Sequence, residues 1–288
     1  MLRSRTAALL IGTAVATGWL PAPALARPAD PLGSPVSSSI ATAAPACAVD
    51  RVLEDPRIIE SSGLARSTRF PGVLLTHNDK GDTARYFAVD EAGTTQAVVS
   101  LTGRTPTDWE DIAAGPNNMV WLADIGDNDQ VRSTISVYRV REPTGLRDQT
   151  VGWTRFRFSY PGGPRDAEAL LVHPSTARLY VVSKERDGTA AIYRAPSQLS
   201  STDINPLERV RTAIPNRITA GDFSPGGSAF VLRDYTQAYV YPSLTGTPQV
   251  VALPSQPQGE SATYTRTGGG LLVGSEGANS LVCHVVLP

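Results

Sequence analysis

Carboxylate side chains recur at matched positions in this sequence of 288 residues. The segment "TDWEDIAAGP" holds Asp108 and Glu110 two residues apart, and "RDAEALLVHP" repeats the arrangement with Asp166 and Glu168. Each pair lies just ahead of an apolar run. Carboxylates that gather in a confined space must take up protons or be neutralised by a cation. The repeated carboxylates therefore predict a site that binds a cation through oxygen ligands.

The two acidic segments belong to a longer repeat. Aligning the apolar pair that opens each unit, such as Ile112-Ala113 or Leu170-Leu171, yields five units. Their spacing is roughly 40–60 residues, which is typical of propeller blades. Glu110 stands two positions before Ile112, and Glu168 two positions before Leu170. These residues and their equivalents in the other units form a set that we call the ring column: Ser62, Glu110, Glu168, Thr219 and Glu260.

The ring column predicts a metal site. The first strand of each propeller blade lines the central channel, so we expect the five side chains to meet at one end of it. Three carboxylates and two hydroxyls are oxygen donors that suit Ca²⁺, and the absence of His and Cys from the column disfavours zinc. The alternative is that these residues cap strands by binding backbone amides. We expect calcium.

Short apolar runs separated by turn residues must position these side chains. Runs such as "GVLLTH", "MVWLAD" and "RLYVVSK" continue through the chain after residue 47 and predict an all-β fold. The order of strands predicts a five-bladed β-propeller, with a six-bladed one as the alternative. The last unit has three strands, and "CAVDRVLEDPRI" at the start of the domain is predicted to supply its fourth.

In each blade the second strand runs antiparallel to the first, so it ends on the face of the propeller where the first strand begins. The turns that follow the second strands are therefore predicted to surround the mouth of the channel. These turns hold mixed charges that suit an anionic ligand, although structural ion pairs would use the same residues. The predicted ligand-binding face is Asn78, Asp79, Asp124, Asp127, Lys184, Glu185, Arg233 and Asp234. The candidate general bases are Asp79, Glu276 and His77.

The N-terminus predicts export. Arg3 and Arg5 precede an apolar stretch over residues 6–20, and Ala24-Leu25-Ala26 suits signal-peptide cleavage. We expect a signal peptide at 1–26, a disordered Pro/Ala/Ser linker at 27–46 and one propeller domain at 47–288. The secreted protein is expected to lie outside the cell or in its envelope, as a monomer without a membrane span.

Two cysteines, Cys47 and Cys283, stand at the two ends of the predicted domain. In an exported protein such a pair predicts a disulfide, with two free thiols as the alternative. A strand shared between the first and last segments of the domain would make these residues neighbours. The blade count and the disulfide therefore support each other.

Several segments resemble known families. The ring column, with "ESSGL" at residues 60–64, resembles the calcium-activated nucleotidases (apyrases), which implies five blades and a calcium in the channel. "DWEDIA" and "DAEALL" are similar to the acidic repeats of SdiA-regulated and esterase-like-phytase propellers. "ESSGLA", "THNDKGD" and "LADIGDN" resemble a group of secreted bacterial propellers.

Three functions stay open from the sequence. A net charge of −1 disfavours nucleic acid, which attracts a basic surface. The first function is a calcium-binding module for a small anionic ligand or an extracellular protein. The second is a Ca²⁺-dependent phosphoester hydrolase similar to the nucleotidases. The third is a scaffold whose calcium no ligand reaches.

Overall fold

Residues 44–288 are described by the structure, a computed structural model. The signal peptide predicted for residues 1–26, and residues 27–43 of the predicted linker, lie outside this range. The described residues form five sheets whose strands pair mainly antiparallel. The innermost strands of neighbouring sheets contact each other in a closed ring. The fold is the predicted five-bladed β-propeller, and the six-bladed alternative is wrong.

The first two blades each carry an extra strand that the sequence did not predict. Blade 1 contains β2 (Ser61–Arg66), β3 (Leu74–Asn78), β4 (Arg85–Val89), β5 (Thr95–Leu101) and β9 (Gln149–Val151). Blade 2 contains β6 (Trp109–Gly115), β7 (Met119–Asp124), β8 (Ile135–Arg141), β10 (Thr154–Ser159) and β14 (Ile204–Pro206). Strands β9 and β14 pair in parallel with the outer strands β5 and β10. Each therefore covers a sheet edge that would otherwise be open.

The next two blades have four strands each, as predicted. Blade 3 contains β11 (Ala167–Val172), β12 (Leu179–Ser183), β13 (Ile192–Arg194) and β15 (Glu208–Arg211). Blade 4 contains β16 (Ala220–Phe223), β17 (Phe230–Arg233), β18 (Gln237–Tyr241) and β19 (Gln249–Ala252). The described helical structure is limited to one 3-10 turn at Pro116–Asn118.

Blade 5 closes the ring. It contains β20 (Ser261–Tyr264), β21 (Gly270–Gly274), β22 (Leu281–Val286) and β1 (Ala48–Val52). Strand β1 pairs antiparallel with β22, and this register sets Val49 opposite Cys283. Cys47 and Cys283 form a disulfide with a Cα–Cα distance of 5.2 Å. The predicted shared blade and the predicted disulfide are both confirmed.

The hydrophobic core is divided among the five interfaces between neighbouring blades. Each of five clusters takes its side chains from two adjacent blades. Because a blade is covered on both faces, its inner strands are apolar on both faces as well; β11 and β12 are buried throughout. This explains why the apolar runs are continuous and do not strictly alternate.

Carboxylates of the inner strands tie neighbouring blades together below the ring column. Asp111 of blade 2 accepts a hydrogen bond from the backbone N–H of Leu170 in blade 3 at 2.8 Å. Asp222 of blade 4 accepts one from the N–H of Tyr264 in blade 5 at 3.0 Å. These bonds satisfy backbone groups that pairing within a single blade leaves free.

Among the helices of the described chain, none has the length and apolar character to cross a membrane.

Candidate functional site

The ring column lies at the start of the five inner strands. In blades 1 to 3 its member is a bulge residue, because the pairing register slips across Ser62, Glu110 and Glu168. In blades 4 and 5, Thr219 and Glu260 directly precede β16 and β20. A bulge leaves a residue unpaired and redirects its side chain. All five residues are buried, and the structure brings them together at one end of the channel.

The two hydroxyls of the ring column bind the backbone of the next blade. Ser62 Oγ donates to the carbonyl oxygen of Glu110 at 2.9 Å. Thr219 Oγ1 donates to the carbonyl oxygen of Gly259 at 3.0 Å. The two hydroxyl protons are therefore used in hydrogen bonds between blades, while the hydroxyl oxygens keep lone pairs that can face a cation.

Asp79, Asp108 and Glu110 form a compact group that we call the acidic triad. One carboxylate oxygen from each residue lies within 4.8 Å of the others. Ca²⁺–oxygen distances are roughly 2.3–2.6 Å, so a single ion can reach oxygens that are this far apart. Asp79 Oδ1 is buried without a hydrogen-bond partner among residues 44–288. The triad therefore offers an unsatisfied oxygen and the right separation for a hard cation.

A glycine covers the acidic triad. The backbone N–H of Gly126, in the turn after β7, donates to the carbonyl oxygen of Asp108 at 3.3 Å. A Cβ atom at position 126 would lie 2.1 Å from Glu110 Oε1. Because atoms cannot approach that closely, the turn needs glycine to pack over these carboxylates.

The other side of the channel holds a lysine between two ring carboxylates. Lys184 Nζ donates to Glu168 Oε1, and it lies 5.4 Å from the centre of the Tyr235 ring. Burial raises the pKa of Glu260, and the nearby charge of Lys184 opposes that rise. Glu260 is 4% exposed, and its Oε2 has no partner within the described part of the chain. One lysine thus compensates only part of the negative charge.

Both lysines of this protein serve the acidic end of the channel. The sequence contains lysine only at Lys80 and Lys184. Lys80 Nζ lies 3.4 Å from Asp108 Oδ2, although its side chain is largely exposed. An exposed pair of this kind contributes at most about 1 kcal/mol. The two ammonium groups leave the site with an excess of carboxylates.

Burial and mutual repulsion disfavour the charged forms of these carboxylates. Burial, and then the charges of Glu168 and Asp79, raise the pKa of Glu110 well above its usual range. Burial also raises the pKa of Asp79 to about 6, with repulsion from Asp108 adding to it. At the mouth, burial and the charge of Glu260 raise the pKa of Glu276 to about 7. A bound cation would relieve this repulsion.

Three residues of the predicted ligand-binding face serve the turns of the first two blades. Asn78 Oδ1 accepts from the backbone N–H groups of Ile59 and Glu60 at 3.0 Å each. Asp124, 1% exposed, accepts from Arg132 Nη2 at 2.8 Å. Asp127 accepts from the N–H groups of two residues in its own turn, residues 131 and 132. Their polar atoms are therefore used to hold these turns, and a role in ligand binding stays a prediction.

Three further residues of that face also have structural partners. Glu185 accepts from Gln130 Nε2 at 3.0 Å and from Arg165 Nη1 at 3.3 Å. Arg233 is fully buried and donates from Nη1 to two backbone carbonyls of blade 5, those of residues 261 and 274. Asp234 caps its own turn by accepting from the N–H of residue 237 at 2.7 Å. Of the predicted face, Asp79 and Lys184 remain at the channel.

A general base at this site must lie at the channel mouth, and His77 does not. Its side chain has 0% exposure and packs edge-on against Trp109, with 5.7 Å between ring centres. Its Nδ1 bonds the carbonyl oxygen of Asn78 at 2.8 Å. Burial lowers the pKa of His77 to about 4, which keeps the imidazole neutral. The prediction that His77 lies on the charged face is wrong, because β3 turns this side chain inward.

The ring column and the predicted ligand-binding face omitted three residues of the site: Asp108, Glu60 and Tyr235. Asp108 and Glu60 occupy equivalent positions two residues before the ring column, so the repeat contained a signal for both. The charge of Glu60 helps to raise the pKa of Asp79, after burial and the charge of Asp108. Tyr235 follows β17 and contacts Lys184. No sequence pattern indicated Tyr235.

Comparison with known proteins identifies no family. No family model matches the sequence, and no curated protein matches it. Among solved structures, a gluconolactonase from Xanthomonas campestris is 14% identical with a TM-score of 0.48, covering 82% of this chain and 89% of that one. The PQQ-bound aldose sugar dehydrogenase from Streptomyces coelicolor is 13% identical with a TM-score of 0.47, covering 85% and 99%. Similarity at this level says nothing about activity.

Proposed function

We propose that this protein is a secreted calcium-binding β-propeller that acts as a binding module. The cation occupies the acidic end of the channel, and the mouth beside it receives a small anionic ligand or a segment of an extracellular protein. The observation that carries this proposal is the uncompensated cluster of carboxylates at the start of the inner strands. Asp79 and Glu260 each direct a buried oxygen without a partner in residues 44–288 toward it.

The donor set favours a hard cation. In this proposal Asp79, Asp108 and Glu110 are the primary ligands, since their oxygens lie within 4.8 Å of one another. The remaining members of the ring column, Ser62, Glu168, Thr219 and Glu260, surround the same end of the channel. Ca²⁺ takes six to eight oxygens in irregular geometry, whereas Mg²⁺ demands a near-ideal octahedron. No imidazole or thiolate is offered by the acidic triad, so zinc is disfavoured.

The mouth offers room and charge for a ligand. A cleft of about 340 Å³ opens beside Lys184 and is bordered by Asp166 and Arg186. A ligand with an anionic group in this cleft would meet the Lys184 ammonium; Glu185 and Asp187 also line the cleft, and the acidic triad does not. The same geometry would accept an acidic side chain from an extracellular protein. The mixed charge of the border favours polar ligands over apolar ones.

The location of the protein is part of the proposal. We propose that residues 1–26 direct export, that 27–46 form a linker, and that 47–288 form the functional domain. The Cys47–Cys283 disulfide supports an oxidising compartment, where such bonds persist. Extracellular fluids also supply calcium at concentrations that match weak extracellular sites.

Direct titration of calcium tests this proposal. We expect isothermal titration calorimetry to give one site with a dissociation constant on the order of 10⁻⁴ M, as for other extracellular modules. Glu110→Gln should weaken binding at least tenfold, because it removes a charge from the acidic triad. The matched control is Glu208→Gln, since Glu208 is exposed on the outer strand of blade 3. Unaltered binding in Glu110→Gln would refute the site.

A second candidate, a calcium-dependent phosphoester hydrolase, is favoured by one observation. The pKa of Glu276 is raised to about 7, first by burial and then by the charge of Glu260. A carboxylate with such a pKa suits a general base at neutral pH. Glu276 would accept a proton from water, with Asp79 as the other candidate, and bound calcium would polarise a phosphoryl oxygen.

A panel of nucleotides and phosphomonoesters separates the hydrolase from the binding module. If the hydrolase is correct, calcium-dependent phosphate release should fall by roughly 100-fold or more in Glu276→Gln, as expected for loss of a general base. Glu168→Gln serves as the second variant, because Glu168 belongs to the ring column but is paired with Lys184. Release that is absent in the unmodified protein, or that survives both substitutions, eliminates this candidate.

A further inference from the structure

A larger cavity lies at the end of the channel opposite the acidic triad. Its volume is about 420 Å³, and it is lined where the inner strands finish, at residues that include Arg66, Gly115 and Val172. In blade 2, Gly115 at this end lies five positions after Glu110 of the ring column. At about 3.3 Å per residue, the two ends are roughly 17 Å apart. The cavity is therefore a separate site.

Two arginines line this cavity without a hydrogen bond or an ion pair. Arg66 ends β2 and is partly buried, while Arg266 is exposed on the turn between β20 and β21. Across residues 44–288, neither side chain donates a hydrogen bond or lies within 4.0 Å of a carboxylate oxygen. Arg66 Nε is buried and has no partner in the same range. A buried guanidinium nitrogen without an acceptor is costly, so a missing acceptor is indicated.

The charges around these arginines do not satisfy them. Asp222 is the carboxylate that most favours the charged form of Arg66. Its Oδ2 already accepts from Thr263 Oγ1 at 2.7 Å and from the N–H of Tyr264 at 3.0 Å. Burial lowers the pKa of Arg66, and repulsion from Arg266 lowers it further. Two guanidinium groups thus face one carboxylate that is bonded elsewhere, and the cavity carries excess positive charge.

The arginines are also reached from a neighbouring groove. A groove of about 800 Å³ between blades 1 and 5 is lined by Arg66 and Arg266 as well. Its other charged residues are Asp50, Arg51 and Glu91. Asp50 and Arg51 form an ion pair at 2.7 Å, and Glu91 is exposed to solvent. A ligand can therefore enter from the side and meet both guanidinium groups where the cavity and the groove join.

The remaining wall of the cavity has an apolar part and a polar part, and the polar part includes Thr68 and Asn117. Prolines stand just after the inner strands of three blades, at Pro116, Pro174 and Pro225, and the side chains of Val172 and Phe223 lie between them. An inorganic ion would leave this surface unused. A molecule that combines an anionic head with an apolar body would use both the arginines and the prolines.

We propose that this cavity binds a small organic oxyanion, a carboxylate or a phosphate monoester, through Arg66 and Arg266. Guanidinium groups bind such planar or tetrahedral oxyanions with paired, charge-assisted hydrogen bonds. The apolar body of the ligand packs against the proline wall. This site is independent of the calcium site, because it uses different residues at the other end of the channel.

Calorimetric titration with simple aromatic probes tests the proposal. Phenylacetate and phenyl phosphate represent the two classes of anion, and phenylacetamide is the neutral control. We expect at least one anion to bind, and phenylacetamide to bind at least tenfold more weakly. The buffer contains EGTA, so that calcium at the acidic end contributes nothing. A repeat with calcium present should give the same affinity.

Variants of the two arginines identify the site. Arg66→Gln and Arg266→Gln should each weaken anion binding at least tenfold. The matched control is Arg209→Gln, since Arg209 is exposed on the outer strand of blade 3, away from the cavity. The side chains of Arg66 and Arg266 make no hydrogen bonds within the described residues, and Arg266 is exposed, so the fold should survive. The proposal is overturned if neither anion binds, if the amide binds equally, or if both arginine variants retain full affinity.

Discussion

The protein is expected to melt about 5–10 °C higher in saturating calcium than in EGTA. A ligand that binds only the folded state adds RT ln(1 + [L]/Kd) to the free energy of unfolding, which is about 2.7 kcal/mol at 100 times the dissociation constant. For a domain of this size, 1 kcal/mol corresponds to roughly 2–4 °C. The gain comes from neutralising carboxylates such as Glu110, which burial and mutual repulsion hold in an unfavourable state.

This calcium effect should grow with pH. The pKa values of Asp79 and Glu276 are raised to about 6 and about 7 in the folded protein. A carboxylate with a raised pKa binds more protons when folded, so the stability it confers is lost as pH rises toward that pKa. The metal-free protein should therefore lose stability as the pH rises from about 4, the usual carboxyl pKa, to about 7. Calcium replaces the protons and should restore stability most at the upper end of this range.

Differential scanning fluorimetry with and without calcium, at several pH values, measures both effects. Glu110→Gln should abolish most of the calcium shift and should itself raise the melting temperature in EGTA, because it removes one repelling charge. Glu208→Gln is the control, since Glu208 is exposed and pairs with Arg194 at the surface. A melting temperature that is indifferent to calcium at every pH would contradict the metal site.

Loss of the Cys47–Cys283 disulfide should lower the melting temperature by roughly 5–15 °C. The bond joins residues 236 positions apart, so it constrains nearly the whole domain in the unfolded state. Chain-entropy arguments give an upper limit of about 5 kcal/mol for such a loop, and native disulfides typically contribute 2–4 kcal/mol. The actual loss falls below the limit because β1 remains hydrogen-bonded to β22.

Thermal unfolding of a Cys47→Ser/Cys283→Ser variant measures this loss. The same variant provides its own control, because the sequence contains only two cysteines. A reducing agent should lower the melting temperature of the unmodified protein and leave the variant unchanged. If the variant melted within a degree of the unmodified protein, the hydrogen bonds of β1 alone would suffice to close the ring.

The repeat made much of the fold predictable. Apolar runs, turn residues and the acidic phrase recur together, so each blade could be recognised from its own segment. The closing strand followed from a missing fourth strand in the last unit, and the paired cysteines agreed with it. The parallel strands β9 and β14 were not predictable, because they are three residues each and occur in connecting segments.

The candidate site was predictable only in outline. The ring column was found as a pattern, and the structure places its members at one end of the channel; their role as calcium ligands stays a prediction. Asn78 and Arg233 form hydrogen bonds with backbone groups that are distant in the sequence, and no local sequence pattern predicts such partners. Arg66 and Arg266 are 200 residues apart in the chain and meet only because the ring closes.

The sequence by itself determined the all-β class, the number of blades, the disulfide and the residues that begin each inner strand. These properties follow from local patterns, since strand periodicity and turns are encoded within a few neighbouring residues. Only the tertiary structure decided which carboxylates form the acidic triad, that Lys184 binds Glu168, and that two arginines line the opposite cavity. Those relations depend on side-chain directions and on contacts between blades, and burial then sets their charge.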